Sequence, residues 1–379
     1  MSLYSSNNLD FGDDHRLSGG GKFLQRIHLD GPLLFALLLL AGIGLIVIYS
    51  AGSQDSGLML RQVVRLVLGF IIMIAIAQIH PHTLSHWAPW IYAIGILMLI
   101  LVLTLGEIGK GAQRWLNLGL FRFQPSELMK LALPMMIAFY LGNSPLPPRK
   151  LRLLACSLLV IIPTILVAKQ PDLGTALLIA SSGVFGLFLA GIRWRLILSM
   201  LVLFAASAPF AWNMMHEYQQ RRVLTFINPE TDPLGAGYHI IQSTIAIGSG
   251  GVYGKGWLNG TQSHLDFLPE RSTDFIFAVL SEEFGLIGVL LLLAIYLFIT
   301  ARGLMIASQA QETFTRLLAG SLTLTFFVYF FVNIGMVSGL LPVVGVPLPL
   351  ISYGGTSLVT IMAGFGILMS IKTNRKLVG

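Results

Sequence analysis

Ten apolar stretches, each near the ~20 residues an α-helix needs to cross a bilayer, dominate the chain. They fall at roughly 32–50, 60–79, 87–105, 127–142, 153–168, 173–191, 196–214, 274–300, 317–340 and 355–371. Backbone amides and carbonyls find no water in hydrocarbon, so segments of this length and composition span as helices. The fold expected is therefore an all-α, polytopic integral membrane protein with about ten transmembrane helices. Composition agrees: 11% of the residues are charged, where a soluble domain carries about 25%. The fourth and fifth stretches are short and interrupted by Pro134 and Pro163, so their ends are soft.

An even number of spans puts both termini on one side. Thirteen of the 24 Lys and Arg residues lie on that side, in the tail and short loops; the other eleven sit in long loops or beside carboxylates. Short-loop cations set orientation, which makes the terminal side cytoplasmic. The net charge of +7 then reflects topology and anionic lipid, and no nucleic-acid partner is expected. Residues 1–30 read as a polar cytoplasmic tail without the short apolar core of a signal peptide. Residues 31–379 read as one transmembrane domain. The single Cys156 precludes an intramolecular disulfide. No internal repeat of the kind found in many secondary transporters is evident.

The acids are distributed less evenly. Under this topology five of the 17 face the cytoplasm and twelve lie outside or at outer span ends. Orientation does not require that asymmetry, so an outward-facing polar site is its natural cause.

Four outward segments carry the polar residues. In KGAQRWLNLGLFRFQPSELMK (110–130), Pro125 suits the first turn of a helix, which sets Glu127 and Lys130 on one face. A charged pair inside a span is costly and points to function, against the alternative of a helix-start acid with a snorkelling lysine. Lys110 and Arg114 of the same segment are substrate-binding candidates. In KQPDLGTAL (169–177), Asp172 suits either a cap on the next helix or a direct role.

The third segment is the polar interval 215–273, the longest in the chain, read as a large outer loop between spans seven and eight. It holds Arg221 and Arg222 near its start and eight glycines within 235–260, and it closes in HLDFLPERSTDF with Arg271 and, at the mouth of the next span, Asp274. GSGGVYGKG within it lacks the spacing of a phosphate-cradling P-loop. IIQSTIAIG (240–248) is too short to span and suits a segment buried in protein at the membrane face. Asp274 follows Ser272 and Thr273, ordinary helix-start chemistry. However, Glu282 and Glu283 follow in the same span, and three carboxylates on one membrane helix argue for function. The fourth segment, 338–357, has three prolines and four glycines and reads as irregular backbone, either a stiff loop or a lipid-lined groove.

His80, His82 and His86 cluster at a cytoplasmic turn, but no Cys or acid adjoins them to complete a metal site.

At RFQPSE, QPDLGTAL, DPLGAGYHIIQS, GGVYGKGW, LPERSTDFIFAVLSEEFG and GMVSGLLPVVGVPLPLISYGG, the chain resembles the shape, elongation, division and sporulation (SEDS) family of bacterial cell-wall glycosyltransferases. The resemblance runs from about residue 27 to 376. It implies ten transmembrane helices and a large periplasmic loop between the seventh and eighth. It also implies polymerisation of lipid II into glycan strands, here in cell elongation and shape maintenance. The implied partners are a class B penicillin-binding transpeptidase and other elongation-complex membrane proteins, in the inner membrane. The essential Asp of the family falls on Asp274, and the Glu and Lys of its FQPSE-x-x-K motif on Glu127 and Lys130.

These readings converge on one reaction. Asp274 is the general base that activates an acceptor hydroxyl. Lys130 and Arg222, with Arg221 and Arg271 behind them, stabilise the departing pyrophosphate, and Glu127 orients Lys130 or a substrate hydroxyl. Asp172 completes the substrate-binding set. A divalent cation, Mg or Mn, held by the outer acids is a further option. The competing class is a flippase for the same lipid-linked precursor, which calls for polar residues continuous from face to face. A scaffold that only recruits enzymes would tolerate changes to every carboxylate.

Overall fold

A computed structural model describes residues 27–109, 112–117, 122–192, 217–231, 235–264 and 270–374, with isolated positions between 195 and 213. The elements run α1 (Gly31–Ala51), α2 (Ser56–Ala77), α3 (Pro81–Leu105), β1 (Glu107–Gly109), β2 (Ala112–Asn117), β3 (Arg122–Phe123), α4 (Pro125–Gly142), α5 (Lys150–Ala168) and α6 (Leu173–Leu189). They continue with α7 (Glu217–Ile227), α8 (Ala236–Gly250), α9 (Ile276–Gln309), α10 (Thr313–Val337) and α11 (Thr356–Thr373).

Helix starts follow local chemistry. Asp30 caps α1 by accepting from the Leu33 amide at 3.1 Å, and Asp55 caps α2 through the Gly57 amide at 2.8 Å. His80 caps α3, its Nδ1 facing the His82 amide at 3.2 Å. That gives the first histidine of the cluster a structural task. Asp30 also receives Arg302 through both carboxylate oxygens, at 3.0 and 2.6 Å, which ties the start of α1 to the end of α9.

Among the described residues, seven helices are long and apolar enough to cross a membrane, and Leu173–Leu189 is a shorter apolar helix. With α4, which carries two charges, they account for nine of the ten expected spans. The expected seventh, 196–214, lies outside the described residues apart from isolated positions. Pro134 and Pro163 do not end their helices: α4 and α5 run through them.

Helix α10 is the centre of the bundle and packs against α4, α6, α9 and α11. Large apolar side chains such as Phe35, Leu60, Trp90 and Leu151 point outward. Where the surroundings are lipid, outward leucines gain as much as inward ones, and small residues at helix crossings set the packing instead. Gly69 meets Leu358 and Met362, Gly183 meets Val160, and Gly366 meets Ile76.

Two departures from uniform helices shape the face on which α4 and α6 begin. The first is a three-stranded antiparallel ribbon, β1–β2–β3, pairing Glu107 with Trp115 and Leu116 with Phe123. It occupies a stretch read from sequence only as the polar approach to a helix. The second is a break in α9 at Gly285, with φ 62°. There the chain after α8 supplies the missing bonds: the Leu286 and Ile287 amides donate to Gly251 and Val252 oxygens, and the Lys255 and Gly256 amides donate to Glu282 and Glu283 oxygens. A Cβ on Gly285 would lie 2.3 Å from the Gly254 nitrogen, so the crossing admits only glycine. The described residues of the interval 215–273 include the helices α7 and α8, and IIQSTIAIG lies in α8, packed against α9.

Candidate active site

The site is assembled from the starts of α4 and α6, the end of α10, strand β2 and the 338–355 loop. Helix α4 begins at Pro125 with no side-chain cap. One turn in, Glu127 Oε1 accepts from Lys130 Nζ at 2.7 Å, with both side chains under 10% exposed. Lys130 also bonds the Tyr329 hydroxyl on α10 and lies 4.7 Å from that ring's centroid. The second carboxylate oxygen of Glu127 is buried with no hydrogen-bond partner among the described residues. A buried, half-satisfied carboxylate is costly as a structural element and is suited to receive a polar ligand.

Asp172 has both roles proposed for it. Its Oδ1 caps α6 through the Thr175 amide at 3.3 Å, while Oδ2 accepts from Gln124 at 3.3 Å and lies 3.6 Å from Arg114 Nε. Arg114 also donates to the Pro171 carbonyl. These groups wall a cavity of ≈ 240 Å³ lined by Arg114, Trp115, Gln124, Glu127, Lys130, Asp172 and Tyr329, and closed by Gly345–Pro347 and Gly354–Ser357. The Pro- and Gly-rich loop is therefore part of a pocket wall. Beyond Lys130 and Tyr329 the lining changes character: a second cavity sharing those two residues is walled by Leu322, Phe326, Phe365 and Leu368.

Phe275, whose side chain makes no cap bond, takes the cap position of α9, and Asp274 stands one residue before it. The Asp274 carboxylate leans on the loop, with Oδ2 3.5 Å from where a Cβ on Gly345 would sit, and Gly345 lines the polar cavity. Two bonds clamp the turn bearing Asp274 to that loop, and a third ties it to Asn333 of α10. The Tyr353 amide donates to the Ser272 oxygen at 2.8 Å, Ser352 Oγ donates to the Thr273 oxygen at 2.6 Å, and Asn333 Nδ2 donates to the Asp274 oxygen at 2.9 Å.

Of the residues singled out from sequence, Glu127, Lys130, Asp172 and Arg114 line one cavity in the structure, and Asp274 lies at its edge. Arg271 is on the Asp274 turn but outside the lining, and donates to Ser53 Oγ at 2.8 Å. Arg221 and Arg222 fall on α7, with their side chains outside the described residues, as is Lys110. Glu282 and Glu283, read as companions of Asp274, find their partners in the chain after α8 and in α1, although each, like Glu127, keeps a second oxygen buried without a hydrogen-bond partner among the described residues. Glu282 Oε1 gathers Lys255 Nζ at 2.7 Å and the amides of Thr261 and Gln262 at 2.8 and 3.0 Å, while Glu283 accepts from Ser50. Sequence reasoning missed Trp115, Tyr329 and Asn333. A hydroxyl and an amide inside span 317–340 were the available signal for the last two.

Among the described residues no three of His, Cys, Asp and Glu converge on a metal-sized point. Among these residues the donor set forms no protein cage for a cation.

The model of one family, FtsW/RodA/SpoVE, described as cell cycle protein, matches residues 32–377. The chain belongs to this family. Among curated relatives, it is 56% identical over 356 residues to the peptidoglycan glycosyltransferase MrdB of Escherichia coli (strain K12), covering 94% of this chain and 96% of that one. It is 34% identical over 423 residues to the peptidoglycan glycosyltransferase RodA of Treponema pallidum, covering 91% and 98%. Among solved structures, a chain of a peptidoglycan synthase complex that coordinates polymerization and crosslinking superimposes with TM-score 0.81 at 34% identity, covering 92% of this chain and 98% of that chain. The rod shape determining protein RodA of Thermus thermophilus superimposes with TM-score 0.70 at 29% identity, covering 91% and 97%. The family assignment therefore embraces the whole bundle, and the cavity lies inside it.

Proposed function

We propose that this chain is a peptidoglycan glycosyltransferase that polymerises lipid II into glycan strands during cell elongation. It works with a class B penicillin-binding transpeptidase and other elongation-complex membrane proteins. The identity to MrdB and the likeness to a chain of a peptidoglycan synthase complex support this reading. The protein is a multi-pass membrane protein. In our reading it sits in the bacterial inner membrane with both termini and residues 1–30 cytoplasmic, and with the polar cavity open to the periplasm.

The observation that carries the mechanism is Asp274 beside a polar cavity that holds a buried Glu127–Lys130 pair. The acceptor sugar hydroxyl attacks the anomeric carbon of the donor. As the new C–O bond forms, Asp274 takes the hydroxyl proton, a contribution of about 10²–10⁴ in rate. The anomeric C–O bond to the lipid pyrophosphate breaks in the same step, so configuration inverts. Lys130 and Arg114 face the leaving pyrophosphate, where fixed positive charge in a water-poor site stabilises the developing anion. Glu127 holds Lys130 with one oxygen and offers the other to a substrate hydroxyl. Arg221, Arg222 and Lys110 remain proposed contacts for the headgroup, and Arg271 supports the Asp274 turn through Ser53. The flippase alternative needs a polar path between faces. The apolar cavity that begins at Lys130 and Tyr329 weighs against it.

The test is glycan-strand formation from lipid II by purified protein with its transpeptidase partner, whose crosslinking is blocked. Wild type should make strands, while a folded, partner-binding Asp274→Asn should make none. Equal activity in the two would move the base elsewhere, with Glu127 next. Failure of both where a control polymerase works would favour the flippase.

A further inference from the structure

On the face opposite the polar cavity, where α5 begins and α6 ends, lies a larger cleft of ≈ 720 Å³ that the proposed reaction does not use. Three cations, Arg149, Lys150 and Arg195, stand on its lining with Leu153 and Ile192. None of the three is paired with a carboxylate among the described residues, and no acid lines the cleft. A short-loop cluster of cations needs no cleft to set topology, so the cavity calls for a separate account.

Helical spacing shows what continues from it. Residues four apart share a helix face, and from Lys150 that stripe runs through Leu154, Leu158 and Ile162, which are 59%, 50% and 46% exposed. Positive charge at the helix end thus gives way to an open apolar strip running toward the middle of the membrane. Leu198 and Val202, 58% and 59% exposed, extend the apolar surface beyond Arg195. This is the pattern of an amphiphile with an anionic head and apolar tails, since basic pockets between helices at a membrane face suit such head groups. A free anion would match the cations alone, whereas an amphiphile would meet both the cations and the apolar strip that adjoins them.

We propose that this cleft is a binding site for an anionic phospholipid of the adjoining leaflet, with Arg149, Lys150 and Arg195 holding its phosphodiester and the α5 strip its acyl chains. The site is independent of the glycosyl-transfer chemistry.

The experiment is native mass spectrometry of the purified full chain in detergent, titrated separately with phosphatidylglycerol, cardiolipin, phosphatidylcholine and inorganic phosphate. Wild type should retain phosphatidylglycerol and cardiolipin in preference to phosphatidylcholine. The triple variant R149Q/K150Q/R195Q should lose that preference by about tenfold or more, each basic residue contributing a fraction of the attraction. A control, R16Q/K22Q/R26Q, removes the same charge from the tail and should bind as wild type. Should the triple variant misfold, R149Q and R195Q singly should each weaken anionic lipid about threefold, and R149K/R195K should not. Retained preference in the triple variant, or equal loss in the tail control, would overturn the site. Displacement of bound lipid by phosphate alone at matched concentration would overturn the lipid as occupant.

Discussion

Asn333, fully buried on α10, divides one amide group between two backbone oxygens, that of Asp274 at 2.9 Å and that of Val346 at 2.7 Å. One side chain thereby fixes the spacing between the proposed base and the loop that closes the cavity. Asn333→Leu strands two buried carbonyls, which should cost about 1–3 kcal/mol. Strand synthesis should fall further than the loss of folded protein explains. Thermal unfolding in detergent alongside the polymerisation assay checks both; full activity in the folded fraction would refute the positioning role.

Gly345 has φ +70° and lies against the Asp274 carboxylate. Gly345→Ala places a side chain in left-handed backbone, a strain of about 1–2 kcal/mol. The loop should relieve it by shifting away from Asp274. We expect a lower unfolding temperature and a lower kcat, measured on the same preparation.

Lys130→Met leaves the Glu127 carboxylate buried without its cation, and breaking such a pair costs roughly 3–5 kcal/mol. Adding Glu127→Gln removes the stranded charge, so the double variant should recover most of the stability while remaining inactive. Paired melting curves and activity measurements separate structural from chemical roles. An active double variant would show that the pair is scaffold.

Tyr329→Phe keeps the ring beneath Lys130 Nζ but removes the hydroxyl that fixes it. Stability should drop by about 1 kcal/mol. The kcat should fall about three- to tenfold with KM little changed, because the ammonium loses its fixed aim at the leaving group. A change in KM alone would place Tyr329 in ground-state binding.

Glu282→Gln should behave differently. An amide oxygen still accepts from the Thr261 and Gln262 amides, but the charge-assisted bond to Lys255 weakens. Hydrogen exchange at Thr261 and Gln262 should quicken while polymerase activity in the folded protein is kept. Loss of activity with unchanged exchange would return Glu282 to the active site.

Most of the bundle was legible because apolar length is dictated by bilayer thickness, and both prolines within α4 and α5 were accommodated without ending a helix. The Glu127–Lys130 contact followed from spacing three residues apart on one helix. Asp172 was legible as cap or cavity wall and is both. What spacing does not carry is which distant segment a side chain meets. Tyr329 and Asn333 reach Lys130 and Asp274 across 199 and 59 residues of chain. The acids at 282 and 283 looked like neighbours of Asp274 because periodicity shows depth in a helix, whereas their partners, Lys255 and Ser50, come from elsewhere. The ribbon at 107–123 was missed because strands of two to six residues leave too little alternation to read.

The change of lining at Lys130 and Tyr329 bears on the membrane as an insulator. A hydrophilic pit sunk into a bilayer shortens the barrier that keeps protons and ions from crossing. Here the pit ends on the Glu127–Lys130 ion pair, and beyond it the lining is mostly apolar, with Leu322, Phe326, Phe365 and Leu368 outweighing the hydroxyls of Thr325 and Thr360. A protein that opens a polar cavity inside a membrane must not short-circuit it, and this largely apolar lining narrows the path open to ions.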